Sequence, residues 1–423
     1  MKNQLQKKNI QPALVEACLI LDKLQHAGFT AYIVGGAVRD TLVKRNISDV
    51  DIATSATPEQ VMEVFERCIP TGLQHGTVTV LESGQSYEVT TYRAEEKYED
   101  HRRPQSINFV QDIYEDLERR DFTMNAMALD RDFVLHDPFG GFSDLLNGQL
   151  RCVGRSDDRF DEDALRMLRA VRFSTTYELT PVLSLWRAIS KQALLLSFIA
   201  MERVSYEVSR MLLHPSFYRG VQLLQRTGLL LHTKEPLLIA RSWQTENITR
   251  IVTLDLSSLT HINARWAALF LESNLSIEQT ANDLRALKFS NEQRSTIVGC
   301  IAIQESVISI RAEDEHILQS EWVDLLLTHP VSLLELWLYQ LAPIFAQSRY
   351  EKLSTIHQSL HIHSIKELCI RGNDLMKWSG QPSGAWVKEQ LAFIMKQVAI
   401  GDLENERSKI LNDFNKRFGV NNQ

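Results

Sequence analysis

Residues 32–51 read YIVGGAVRDTLVKRNISDVD, and the order of textures within them decides the fold. Tyr32, Ile33 and Val34 make an apolar strand, Gly35-Gly36 a turn, the following residues a short helix carrying Arg39 and Asp40, and Asp49-Val50-Asp51 a second extended piece. In a strand, residues i and i+2 share a face, so Asp49 and Asp51 project together while Val50 enters the opposite layer. Adjacent carboxylates repel, and such a pair is best tolerated with a cation between its members. Hard oxygen ligands suit Mg²⁺, which takes one or two carboxylates and completes its shell with water and substrate phosphates. The Gly-Gly turn lets backbone N–H groups approach a phosphate, and the helix starting after it adds a favourable dipole. Alone, the glycines also read as an ordinary turn and the aspartates as a solvated strand end, and no G-x-G-x-x-G dinucleotide fingerprint is present. The combination, with Arg39 three residues beyond Gly36 and the aspartates about ten further on, points to phosphate and metal in one short unit.

The 423 residues suggest two to four domains with ample material for a buried core. A formal net charge of −7 excludes a uniformly basic nucleic-acid coat, so nucleic acid would be gripped by local basic patches. Cys18, Cys68, Cys152, Cys300 and Cys369 are scattered without a C-x-x-C pairing, which fits reduced thiols in the cytoplasm and offers no zinc site. The polar start MKNQLQKKNIQP lacks the apolar core of a signal peptide, and no apolar run is long enough to span a membrane. The greasiest segment, 331–346, carries Glu335 and Pro343 and reads as a buried helix.

Leu14, Cys18, Leu21 and Leu24 recur at helical spacing ahead of Gly28, a natural helix stop. Thr57-Pro58-Glu59 opens a helix through Phe65 with Thr57 as its N-cap. Residues 77–81 and 86–92 alternate around Glu82-Ser83-Gly84-Gln85 as a hairpin. Its second strand carries Glu88, either a third carboxylate for the aspartate pair or an exposed strand residue. The charged run AEEKYEDHRRPQSINF after Tyr92 reads as a solvated loop, in a position suited to a part that moves during catalysis. Arg119, Arg120, Asp121 and Asn125 then concentrate polar groups, and Asp137-Pro138-Phe139-Gly140-Gly141 makes a turn. Beyond about Arg151 strand signals fade and helical periodicity takes over, with further breaks near Pro215 and Pro330.

EDALRMLRAVRF at 162–173 reads as one helix on which Asp163 and Arg166, at i and i+3, share a face. They form either a surface ion pair or a reader of base edges. A carboxylate accepts from an exocyclic amino group, and a guanidinium donates to the ring acceptor beside it. Cytosine and adenine both present that combination, whereas uracil and guanine present the opposite polarity. One Asp/Arg pair could thus accept CTP and ATP without a template, with Arg169 and Arg172 on nearly the same face to meet phosphates or ribose.

Taken together, GGAVRD (35–40), DVDIAT (49–54), DHRRP (100–104), RRDFTMNA (119–126), DPFGG (137–141) and EDALRMLRAVRF (162–173) resemble the class II tRNA nucleotidyltransferases, the CCA-adding enzymes, in the bacterial form related to that of bacilli. Weaker echoes run through ERVSYEV (202–208), LRALKFSNEQ (284–293) and GNDLMKWSGQPSGAWVKEQL (372–391), whereas 231–280 carries no placeable motif. The resemblance implies an α+β chain. A nucleotidyltransferase head with a small mixed sheet (1–150) is followed by an all-α neck that reads the base (151–215), a body (216–330) and a tail that binds tRNA (331–423). It implies that Asp49 and Asp51 hold catalytic Mg²⁺, that Gly36 and Arg39 contact the triphosphate and Arg120 the incoming nucleotide. Asp163 and Arg166 become the base-reading pair, Arg169 and Arg172 complete the nucleotide pocket, and Glu88 matches an additional active-site carboxylate. The implied partners are ATP, CTP and the tRNA acceptor end, with no membrane. Apolar body or tail helices could pair in a homodimer, and Arg371, Lys377 and Lys388 are basic positions for tRNA. A poly(A) polymerase shares the head and neck, but the long basic tail suited to non-specific RNA binding is missing. A CC-only enzyme would have a shortened 93–104 loop, and a non-catalytic RNA-binding relative would lack a metal carboxylate. No His-Asp clusters support an appended phosphohydrolase.

Overall fold

The computed structural model describes residues 10–95, 98–99, 103–104, 107–245, 247–311 and 314–418. The chain divides into two compact units, Met1–Gln244 with Ala286–Lys288 and Thr245–Arg285 with Phe289–Gln423.

In the first unit, α1 (Pro12–His26) leads into β1 (Ala31–Val34), α2 (Gly36–Leu42) and β2 (Asp51–Thr54). α1 buries the apolar stripe of its spacing, Leu14, Cys18, Leu21 and Leu24, and Gly28 follows at φ +91°. α3 (Pro58–Val64) starts at Thr57, whose hydroxyl accepts from the Gln60 N–H while its own N–H donates to the Gln60 side chain. β3 (Cys68–Gly72) precedes the expected hairpin of β4 (Thr77–Glu82) and β5 (Gln85–Thr91). β3 escapes sequence reading because Pro70 and Gly72 interrupt it and none of it is fully buried.

The charged run after Tyr92 is not simply a loop. β6 (Arg93–Glu95) and β7 (Tyr98–Glu99) pair antiparallel with β9 (Ile107–Phe109) and β8 (Arg103–Pro104) respectively. Ladder hydrogen bonds join backbone groups, so charged side chains do not forbid them. Asp100, His101 and Arg102 lie outside the described residues.

After α4 (Ile113–Glu118), β10 (Ala128–Leu129) and β11 (Leu135–His136) complete a seven-stranded mixed sheet in the order β11-β10-β1-β2-β5-β4-β3. β2 pairs antiparallel with β1 and parallel with β5, which sets Asp51 between Val34 and Glu88. α5 (Gly141–Leu146) follows the Asp137–Gly141 turn and presses on the 3-10 turn Thr123–Asn125. A Cβ on Gly141 would stand 2.1 Å from the Thr123 carbonyl oxygen. Gly141→Ala is therefore expected to destabilise the protein by roughly 2 kcal/mol, the scale of an overpacked core, readable as a lower urea midpoint at unchanged slope.

Next come α6 (Ser156–Glu162), α7 (Leu165–Thr176), α8 (Leu183–Gln192) and α9 (Met201–Leu212). Past residue 151 the one strand among the described residues is Thr180–Pro181, beside Gln149–Leu150. The expectation of a single helix over 162–173 fails at Asp163, which is extended at φ −139° and ψ 105°. Its Oδ1 accepts from the Leu165 N–H at 3.0 Å, so the side chain that was to sit on the helix caps its start instead.

The second unit is helical, with no strand among its described residues. Trp266, Trp322 and Trp337 fill its interior, and Trp337 donates to Gln304 at 3.0 Å. The 331–346 segment is helical but passes through a π turn at Trp337–Leu341, just ahead of Pro343, whose missing N–H interrupts the ladder. Arg371 is spent locally on the carbonyls of Lys366, Leu368 and Ile370. No helix is long and apolar enough to cross a membrane among the described residues.

Candidate active site

The turn after β1 needs glycine at Gly35 rather than Gly36. Gly35 has φ +69°, and a Cβ there would lie 3.0 Å from Nη1 of Arg120, whereas one on Gly36 would make an ordinary contact at 3.5 Å. From α2, Arg39 donates through Nη1 to Asn125 Oδ1 at 2.6 Å and through Nε and Nη2 to the two oxygens of Asp40, each at 3.0 Å. Its guanidinium stacks 4.4 Å from the Tyr177 ring centre, and the Tyr177 hydroxyl donates to Asp40 at 2.7 Å. The arginine is thereby buried and held on every side, which a flexible cation would not be.

Asp49 lies just ahead of β2 and Asp51 is its first residue, both exposed. They line a cleft of about 230 Å³ together with Gly36, Arg39, Arg172 and Tyr177. Glu88 is the cross-strand neighbour of Asp51. Although the residue as a whole is exposed, the protein packed around its carboxyl takes away part of its water, and this, then the Glu88 and Asp49 carboxylates, raise the Asp51 carboxyl above its ordinary value despite Arg120 and Arg39. Such a carboxylate set asks for a cation. No group of three or more His, Cys, Asp or Glu side chains is placed to hold an ion among the described residues, so a metal here would take two protein carboxylates and find its other oxygens in water and substrate. The residues present fit a hard divalent cation on those terms.

Arg120 and Arg119 both grip Asp116, at 3.0 and 2.7 Å. Burial works to raise the Asp116 carboxyl, but the two guanidinium groups overcome it and hold it low. Nε of Arg120 is buried with no hydrogen-bond partner, a donor left over from this clasp. On α7, Arg169 binds Asp121 at 2.6 Å and Arg172 binds Glu207 of α9 at 2.5 Å, both stacking on Phe173. Asp121 also accepts from the Asn125 amide at 2.8 Å, so Arg39–Asn125–Asp121–Arg169 forms one buried chain. Burial pushes the Asp121 carboxyl up, yet Arg169, the Asn125 amide and Arg166 pull it down to about 2.

Asp163 and Arg166 are brought near each other but are held by third parties. Asp163 pairs with Arg203 of α9 at 3.2 Å, and Arg166 pairs with Glu162 and donates to the carbonyls of Arg159 and Arg119, each at 3.1 Å. Asp163, Arg166 and Arg169 lie outside the wall of the aspartate cleft. Sequence reasoning missed Tyr177 and Arg210, which line the cleft, and Glu207 and Arg203 behind it. The echo ERVSYEV marked their helix without distinguishing its faces.

A mixed sheet that sets two aspartates at a strand start beside a Gly-Gly turn and a ring of clamped arginines defines a nucleotidyltransferase. Residues 31–151 match the family model of the poly(A) polymerase head domain, 183–237 that of an RNA and SrmB binding site of polymerase A, and 257–413 that of tRNA nucleotidyltransferase domain 2. The CCA-adding enzyme of Geobacillus sp. (strain WCH70) is 39% identical over 92% of this chain and 94% of its own length, and that of Listeria innocua 37% over 94% and 96%. The crystal structure of the Bacillus stearothermophilus CCA-adding enzyme in complex with CTP superposes with a TM-score of 0.83 at 34% identity, covering 96% of this chain and 98% of that one. The chain belongs to the CCA-adding enzyme family, and is a nucleotidyltransferase.

Proposed function

We propose that the protein adds C, C and A in turn to the 3′ end of tRNA, or repairs that end, in the cytoplasm, using CTP and ATP in one active site and releasing pyrophosphate. The observation that carries the reading is the convergence of Asp49 and Asp51 on a cleft walled by Arg39 and Arg172. In this reading Asp49 and Asp51 hold Mg²⁺, and Glu88, beside Asp51 in the sheet, keeps the local field negative. Bound metal supplies Lewis acidity at the attacking 3′-hydroxyl and at the leaving pyrophosphate. Gly36 and the rigid Arg39 meet the triphosphate, Arg120 contacts the incoming nucleotide, and Arg169 and Arg172 complete the pocket. Asp163 accepts from the exocyclic amino group of cytosine or adenine while Arg166 donates to the adjacent ring nitrogen. Catalysis is then positioning and electrostatics in an in-line displacement. The helical remainder, as neck (151–215), body and tail, is the proposed holder of the acceptor arm.

The test is to incubate the protein with Mg²⁺ and tRNA ending at the discriminator base, supplying CTP, ATP or both, and to size products at single-nucleotide resolution. Two nucleotides with CTP alone and three with both are expected. A long ladder with ATP alone would make it a poly(A) polymerase, and no extension would leave an RNA-binding protein. Asp163→Ala should lower the preference for CTP over UTP by at least about tenfold, the scale of one lost base contact.

A further inference from the structure

We propose that Arg203 is a specificity-determining positioning residue: from α9 it fixes the plane of the Asp163 carboxylate, and with it the accuracy with which C and A are told from U and G. The inference rests on the reading of Asp163 as the base acceptor.

Asp163 stands in the short break between α6 and α7, where its N–H closes α6 on the Arg159 carbonyl at 3.2 Å but its carboxylate is oriented only by the hydrogen bonds it accepts. A carboxylate turns easily about its last torsion, and one contact leaves that rotation open. Here the two oxygens have separate partners. Oδ1 accepts from the Leu165 N–H at 3.0 Å and Oδ2 from Arg203 Nη2 at 3.2 Å. The first is a backbone donor, kept by every residue at 165 except proline, which leaves Arg203 as the side chain that sets the plane. Each oxygen keeps a second lone pair for a base amino group.

The register of α9 supports the same role. One turn beyond Arg203, buried Glu207 binds Arg172 at 2.5 Å and lies 3.9 Å from Arg169. Alternating charges on α9 thus face alternating charges around α7. A slip of one turn would bring Glu207 towards Asp163, like against like, so the helices have one favourable register. The Arg203 side chain is 33% exposed, and a pair so exposed adds little to stability. Its consequence is geometric.

The experiment measures kcat/KM for CTP against UTP, and ATP against GTP, on tRNA primers for the wild type, Arg203→Gln, Arg203→Lys and Asp163→Ala. Arg203→Gln is expected to lower both ratios about tenfold, the factor matching one charged hydrogen bond, with Arg203→Lys restoring part of the loss. A merely structural role would lower kcat/KM for all four nucleotides alike and leave the ratios unchanged, which overturns the proposal. Should the glutamine variant fail to fold, Arg203→Met reads the same ratios, and wild-type ratios there overturn it equally. Unchanged ratios in Asp163→Ala would bring down the base-reading role itself. A shift in Asp163→Ala without one in Arg203→Gln or Arg203→Met would sink the inference alone.

Discussion

Asp51→Asn is expected to cut nucleotide addition by at least about a thousandfold, because a lost metal seat forfeits several kcal/mol of transition-state stabilisation and each 1.4 kcal/mol is about tenfold. The same variant should not weaken the fold. The Asp51 carboxyl is raised by withdrawal from water and by Glu88 and Asp49, so the folded state binds its proton more tightly than the unfolded chain does. Stability attached to that group therefore falls as pH rises through the window above its unfolded value, and at neutral pH the ionised carboxylate strains the fold. Removing the charge relieves this, so metal-free Asp51→Asn should melt at or above the wild type. Added Mg²⁺ should raise the melting temperature of the wild type, by binding only the native state, and leave that of the variant nearly unmoved. Near-normal turnover in Asp51→Asn, or an equal Mg²⁺ shift in both proteins, would refute the metal seat.

Asp121→Ala carries the largest stability effect. The carboxylate is 8% exposed and holds both Arg169 and Asn125, and through Asn125 the guanidinium of Arg39. Its removal leaves Arg169 with the longer charge contact to Glu207 at 3.9 Å and its stacking on Phe173. Breaking one side of a buried pair costs about 3–5 kcal/mol, which chemical denaturation would register, and the loosened Arg39 should lower activity in what remains folded. The acid limb gives a second reading. Asp121 is held at about 2 against an ordinary 3.8. Its folded value is depressed, so its contribution is present above pH 4 and lost as pH falls from about 4 to about 2, worth roughly 2 kcal/mol. The variant should lose that part of the acid dependence, and an unchanged slope below pH 4 would contradict the assignment.

Local chemistry explains which parts were legible without coordinates. The Thr57 cap, the α1 stripe, the Thr77–Thr91 hairpin and the strand-turn-helix around Gly35 are short-range consequences of capping, periodicity and turn preference, and each stands where its residues predict. β3 and the β6–β9 pairing were not legible, because a ladder depends on a distant partner rather than on its own composition. The break at Asp163 is hidden for a related reason, since helical periodicity runs through it while the backbone turns extended there and the Asp163 side chain accepts from the Leu165 N–H.

The sequence by itself determined the family and the mixed sheet before helices, and it named the acids and arginines proposed for the site, since all of these are written in contiguous motifs. Only the tertiary structure decided which charge faces which. Asp51 meets Glu88 across two strands, Arg39 reaches Asn125, and α9 supplies Arg203 to Asp163 and Glu207 to Arg172. Such pairings join residues tens of positions apart, and Coulomb forces act on distance in space, which spacing along a chain does not contain.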